Sequence, residues 1–238
     1  VRYYLAENGY GMGLRINEYI ETGDTQLLKS IFQQLDGSFS YTNENYDRIV
    51  QLRDFNASLP PHAKITYLGI DIEQRTGTGI QAIRRFLVMD TGLYPPSIKG
   101  ALLQIEYLSS KSFTSAMGFC AYFHQAIQQP RLKPFYVDAF NGHYDEVLLI
   151  LENIILRNEL YLNNSNYLYK RETQIAKNFE FVMNMYPDGI FYGKWGVFHI
   201  WKNNVANQNS SFVKRSIAAG HIKSKEVVSI PIFYQDSF

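Results

Sequence analysis

Three short apolar stretches of this chain each run into a polar turn, and their spacing constrains the fold more than any other feature. They are VRYYLAENGYG from Val1, ITYLGIDIEQ from Ile65 and DGIFYGKWGVFHIWKNN from Asp188. The first two deliver carboxylates at their downstream ends, Glu7 in one and Asp71 with Glu73 in the other; the third stops at Gly196 and meets His199 three residues later. Strands are expected over Val1–Ala6, Lys64–Ile72 and Ile190–Trp195, and a last one over Glu226–Tyr234. Helical patterns lie between them, an order that favours a parallel sheet with helices on its faces. The predicted fold class is α/β: one domain over residues 1–238, with a mostly parallel central sheet flanked by helices.

The helical reading rests on apolar periodicity and on end signals. A first helix over Leu14–Glu21 stops at Gly23, a C-terminal cap. Asp24 caps a second, in which Leu27, Leu28, Ile31, Phe32 and Leu35 recur at helical spacing. Asn43 is expected to cap a third, running to about Ala57, with Arg53 on the same stripe as Ile49 and Val50, so that its head needs a partner or water at the margin of the core. Residues 74–142 contain no convincing strand and read as a helical insertion or lid, with segments near Ile80–Met89, Ile98–Leu108 and Phe113–Ile127. Asp145–Leu160 is apolar nearly all round, as for a helix covered on both faces. Asn166 is expected to cap a long helix to Tyr186 on the stripe Leu168, Ile175, Phe179, Val182 and Tyr186, with Arg171 and Glu172 at its flanks.

Composition narrows the partners. The net charge of +1, from 23 basic and 22 acidic residues among 238, offers nothing to attract nucleic acid or an anionic membrane, so a small molecule is the expected ligand. The longest aliphatic run, Val147–Leu151, is far short of the ~20 residues of a membrane-spanning helix, and no signal peptide is visible. With 18 Tyr and 16 Phe, phenols are expected to line part of a cleft or to stud the surface. The single Cys120, between Phe119 and Ala121, reads as a small core residue and leaves the compartment open. Val1 stands inside a strand pattern rather than behind an initiator Met, so an upstream segment is expected.

In a parallel sheet, residues just past the carboxyl ends of the strands share one edge, which would bring Glu7, Asp71, Glu73 and His199 together. A carboxylate beside a histidine holds one tautomer and raises its basicity, as a general base requires; for any one of these groups taken alone, capping a loop or helix end is the commoner fate. Asp71 and Glu73, two apart on an extended chain, could bind a divalent cation with His199 as third ligand. No HExxH motif, paired histidine or cysteine cluster accompanies them, and the expectation is no metal and no cofactor. Gly9, Gly11 and Gly13 do not have the GxGxxG spacing and read as points of close backbone approach. There is no GxSxG elbow. His62, His124, His143 and His221 read as loop or helix histidines.

Taken in order, these stretches resemble the erythromycin esterase family and, more distantly, the Tiki, TraB and ChaN-like proteins. LAENGYGMGLRINEYIETGD is similar to the family's strand ending in a glutamate followed by a helix, and LRDFN with YLGIDIE to its "LR-x-(Y/F)-N … YG-(F/L)-D" run. RETQIAKNFEFV resembles "RD-x-x-MA-x-N", KWGVFHI stands where the family has "WAHNAH", and SFVKRSIAAGHIKSKEVVSIPIF is similar to its closing segment. The resemblance implies an α/β hydrolase that activates water by general acid–base chemistry on an ester or lactone, in the cytoplasm or periplasm of a bacterium. It makes Glu7 the active-site glutamate and His199 the second histidine of the final motif, with Arg171 and Asp71 supporting. Glu73, Arg53, Tyr10 and Lys194 complete the candidates for supporting or binding substrate. Two departures stand out: Gly196 replaces the motif's first histidine, and the leading "GE-x-x-H" histidine would lie upstream of Val1. Gly196-x-x-His199 matches the "G-x-x-H" ending of the Tiki and TraB relatives. A non-catalytic binding protein on the same scaffold, or a metal-dependent peptidase-like relative, is therefore the alternative.

Overall fold

The computed structural model of the chain describes residues 2–38, 40–88, 94–109, 116–163, 165–202 and 210–230. Its sheet has three strands, β1 (Tyr3–Gly9), β2 (Thr66–Asp71) and β3 (Phe191–Lys194), in the order β2-β1-β3 and all parallel. Tyr4 pairs with Tyr67 on one side and Tyr192 on the other, and Leu5 with Leu68 and Gly193. Between the Ala6–Gly69 and Gly9–Asp71 pairs β1 advances three residues for two of β2. This bulge re-aims the side chains beside it. It also carries β1 to Gly9, beyond the expected end at Ala6, so Glu7 lies within the strand.

Helices cover both faces of the sheet. On one side α1 (Tyr10–Thr22), α2 (Thr25–Gln33) and α3 (Asn43–Ser58) bury Met12, Ile16, Leu28, Ile31 and Ile49 against Ala6 and Tyr67. On the other, Leu5, Leu68 and Ile70 join a cluster built from α4 (Thr76–Phe86), α5 (Pro96–Ser109), α6 (Met117–Ile127), α7 (Lys133–Ala139), α8 (Tyr144–Leu162), α9 (Tyr167–Met185) and α10 (Phe212–Ala218). The helices expected over 74–142 therefore share a buried cluster with the sheet. Residues 89–93 and 110–115, which take in the end of the first of those expected helices and the start of the third, lie outside the described residues. Cys120 is buried in that cluster. Among the described residues no helix is long and apolar enough to cross a membrane.

The glycine run explains where α1 starts, four residues before the expected Leu14. A Cβ at Gly13 would stand 2.5 Å from the Gly69 backbone nitrogen, and one at Gly11 2.9 Å from Gly79 Cα. Only glycine lets α1 lie this close to β2 and α4. The Asn17 side chain then donates to the Tyr67 carbonyl and accepts from its N–H, at 2.6 and 2.9 Å, so α1 closes the outer edge of β2.

Three local expectations are corrected. Asp24 caps α2 as expected, accepting from Gln26 and Leu27, but α3 is capped by Thr42, whose hydroxyl accepts from the Asn45 N–H, and Asn43 is its first helical residue. Asn166 precedes α9 in a left-handed conformation (φ 60°) and its side chain makes no capping bond. In the expected final strand, Ser224–Glu226 is a 3₁₀ turn and residues 227–230 form no strand, while 231–234 lie outside the described residues. The carboxyl of Glu226 satisfies the Lys223 N–H at 2.9 Å, a bond that holds the turn instead of a ladder.

Candidate functional site

Four segments bring polar groups to the carboxyl edge of the sheet. The β1 bulge supplies Glu7, the last residue of β2 is Asp71, the first turns of α9 carry Arg171 and Glu172, and a 3₁₀ turn over Val197–Ile200 presents His199 just after β3. Asn178 anchors α9 there. Its buried amide donates to the Ile70 and Asp71 carbonyls at 3.0 and 3.3 Å and to Asn153 at 3.0 Å. With that contact fixed, Arg171, two turns earlier, overhangs the end of β2.

The five side chains form one continuous chain of contacts. Arg171 grips Asp71 with a fork: Nε donates to Oδ1 at 3.0 Å and Nη2 to Oδ2, and Nη2 also donates to Glu7 Oε1 at 2.9 Å. Glu7 Oε1 lies 3.3 Å from His199 Nε2, and its Oε2 accepts from the Gly196 N–H at 3.2 Å. On the far side His199 Nδ1 lies 2.5 Å from Glu172 Oε1, while Glu172 Oε2 accepts from the Phe212 N–H at the start of α10 at 2.7 Å. Asp71 and Glu172 are fully buried and the Arg171 and His199 side chains nearly so, whereas the Glu7 side chain is 35% exposed. Glu7 is the member that faces solvent.

Electrostatics sets the protonation of this chain. Burial acts to raise the Glu7 carboxyl, but His199, Arg171 and the Gly196 N–H outweigh it and hold the group down at about 2. Burial acts to lower His199, but Glu172 and Glu7 on its two nitrogens push it up to about 9. Arg171, although burial opposes its charge, is held protonated even more firmly than a free guanidinium by Asp71 and Glu7. At neutral pH the pair is therefore carboxylate and imidazolium. The sequence reading made the histidine a base; with carboxylates at both nitrogens it rests as an acid. Trp195 and Phe198 stand edge-on to its ring, at centroid distances of 5.6 and 5.8 Å.

The remaining candidates fall elsewhere. Glu73, expected on the same side as Asp71, turns away once β2 ends: it is fully buried and its Oε1 accepts from the Gly11 N–H at 2.5 Å, so it caps α1. Burial and the neighbouring Asp71 raise its carboxyl to about 8 against the opposing backbone bonds of Gly11 and Met12. The two-carboxylate arrangement that could have bound a cation is thus split. The cation that bridges Asp71 and Glu7 is the Arg171 guanidinium, and among the described residues no group of three His, Cys, Asp or Glu is arranged to hold a metal ion. Tyr10 is buried and donates to Glu146 at 2.7 Å. Arg53 packs on Gly23 at the opposite end of α1 and pairs with Asp54 at 3.0 Å, a helix length of about 20 Å from Gly9. Lys194 ends β3 opposite Ala6, exposed and one residue from the level of Glu7.

Glu172 is the member that the sequence reading left out. Its signal was present, a charge at the flank of an apolar stripe beside Arg171, but the sequence could not say that His199 and the start of α10 would meet it there. Gly196 also acquires a role through its N–H to Glu7. A Cβ at this position would meet His199 Cδ2 at 3.4 Å and Glu7 Oε2 at 3.8 Å, ordinary contacts, so a side chain here would reach into the site.

No protein-family model and no curated protein matches the chain. Solved structures do. A succinoglycan biosynthesis protein is 17% identical, with 92% of this chain and 55% of that one covered at a TM-score of 0.56. A mutant of the erythromycin esterase EreC, in its open conformation, is 12% identical, with 94% and 60% covered at 0.55. A protein from Bacillus cereus is 14% identical, with 92% and 55% covered at 0.56. The chain thus spans 55 to 60% of the length of these structures and shares their α/β fold, including that of an erythromycin esterase.

Proposed function

We propose that the chain is a hydrolase of the erythromycin esterase type, cleaving an ester or lactone of a small molecule with water. The observation that carries this reading is the pairing of a solvent-facing carboxylate, Glu7, with an imidazolium, His199, that Glu172 holds from behind. Glu7 accepts a proton from the attacking water, and the hydroxide adds to the carbonyl carbon. The His199 imidazolium gives its Nε2 proton to the leaving alkoxide as the C–O bond breaks. Glu7 then returns its proton to Nε2, 3.3 Å away. The products are acid and alcohol, and the site regains its resting state. While it is paired, Glu7 is a weak base; a substrate that enters between it and its cations restores basicity by loosening those contacts. Arg171 bridges Asp71 and Glu7, and its positive charge stabilises the negative charge that develops at the carbonyl oxygen.

The test is turnover of a panel of esters and lactones by the wild type, His199→Ala and His199→Gln. Loss of one acid–base group predicts a fall of roughly 10²–10⁴-fold, with circular dichroism unchanged in at least the Gln variant. Full turnover by a folded His199 variant would sink the assignment. Gly196, in the place of the first histidine of the resembled motif, favours a second reading, a protein that binds such a molecule without cleaving it. Steady hydrolysis of any ester in the panel rules that reading out.

A further inference from the structure

We propose that Tyr167 is a further substrate-binding residue of this site, its phenol donating a hydrogen bond to the carbonyl oxygen of the bound ester, a role that rests on the hydrolase reading above. Tyr167 opens α9 one turn before Arg171, so the two side chains share a face of the helix at its end over the sheet edge. The phenol is close enough to Arg171, Asp71 and Glu7 to feel all three charges. It is half-buried, and its hydroxyl makes no hydrogen bond among the described residues.

That uncommitted hydroxyl stands among groups whose donors are largely engaged. Arg171 Nε and Nη2 are bonded to Asp71 and Glu7, both nitrogens of His199 face carboxylates, and the Gly196 N–H is bonded to Glu7. A substrate carbonyl entering the cluster needs a donor, and Tyr167, one helical turn from the Arg171 guanidinium, offers one without breaking an existing bond. Its phenol stays protonated at neutral pH, because burial and the nearby carboxylates oppose ionisation more than Arg171 favours it. A neutral donor suits an oxygen that is uncharged in the ground state and gains negative charge in the transition state.

The test has two arms. In the first, tyrosine labelled with ¹³C at Cζ is titrated in the wild type and in Glu7→Gln, with Tyr167→Phe assigning the resonance. Removing the Glu7 charge is expected to lower the Tyr167 titration midpoint; an unmoved midpoint overturns its placement in the site. In the second, Tyr167→Phe is assayed on whichever ester the wild type hydrolyses. A loss of at least about tenfold in kcat/KM, with thermal stability unchanged, supports the role, and turnover within twofold of wild type overturns it. If the wild type hydrolyses no ester, the hydrolase reading and the carbonyl role fall together. The titration still decides separately whether the phenol belongs to the cluster.

Discussion

Replacing Arg171 with Met isolates the contact on which the site is built. The substitution keeps much of the side-chain volume but leaves Asp71, fully buried, without its cation. Breaking a buried ion pair from one side costs about 3–5 kcal/mol. The lower end applies here, because Asp71 keeps the Ile72 N–H at 2.7 Å and the Gln74 amide at 3.3 Å, and the partly exposed Glu7 keeps Gly196 and His199. An independent bound agrees. A stranded aspartate can take up a proton, and for a carboxyl of ordinary pKa near 3.9 doing so at pH 7 costs about 4 kcal/mol, or ~1.36 kcal/mol per pH unit. At pH 5 the same step costs only about 1.5 kcal/mol. Arg171→Met should therefore be destabilised by about 3–4 kcal/mol at pH 7 and by less than half of that at pH 5. For a chain of this size each kcal/mol is worth about 2–4 °C in Tm, so the expected loss at pH 7 is roughly 6–16 °C. Thermal unfolding followed by circular dichroism at the two pH values measures it, and Arg171→Met with Asp71→Asn should recover much of the loss at pH 7. A single variant within 1 kcal/mol of wild type at pH 7, or equally destabilised at both pH values, would refute the reasoning.

Further outcomes follow from the same contacts. Glu172→Gln should bring the His199 titration, read by imidazole NMR, down from about 9 towards the ordinary histidine value; no movement would mean that Glu172 does not hold the ring. A histidine raised on folding stabilises fully below about 6.5 and loses that contribution as pH rises through about 9, so in this variant the alkaline loss of stability should be smaller and complete at a lower pH. Glu73 is a raised carboxyl, so folding is favoured at low pH, and stability falls as pH climbs from about 4.3 to about 8; Glu73→Gln should flatten that slope in urea titrations across the range. Gly13→Ala places a methyl 2.5 Å from backbone that cannot retreat without moving β2, and overpacking of about 1–3 kcal/mol should outweigh the ~1 kcal/mol gain in helix propensity. A higher urea midpoint for this variant would contradict the close approach of α1 to β2.

Much of the fold was legible because its signals are local. The apolar runs ending at Glu7, Asp71 and Gly196 became three parallel strands within a few residues of the expected limits. The stripe Ile175, Phe179 and Val182 became the buried face of α9, and Gly9, Gly11 and Gly13 became close approaches, as their spacing suggested. Periodicity reports which side of an element is covered, since burial repeats with the geometry of the backbone. It fails for Arg53, which falls on the expected stripe yet meets Gly23 and Asp54, because a stripe says that a charge sits at a core margin and not which one.

The sequence by itself therefore determined the alternation of strand and helix and the idea that Glu7, Asp71 and His199 share an edge, since each follows from side-chain pattern and from the geometry of parallel strands. Only the tertiary structure decided the chemistry of that edge. Glu73 left it to cap α1, Arg171 entered between two carboxylates, and Glu172 closed on His199 from behind and made it an acid. These outcomes depend on distances of about 3 Å between residues as far apart as Asp71 and Arg171. Coulomb and hydrogen-bond energies change steeply over such distances, while the sequence pattern locates a side chain only to a face of its helix or strand.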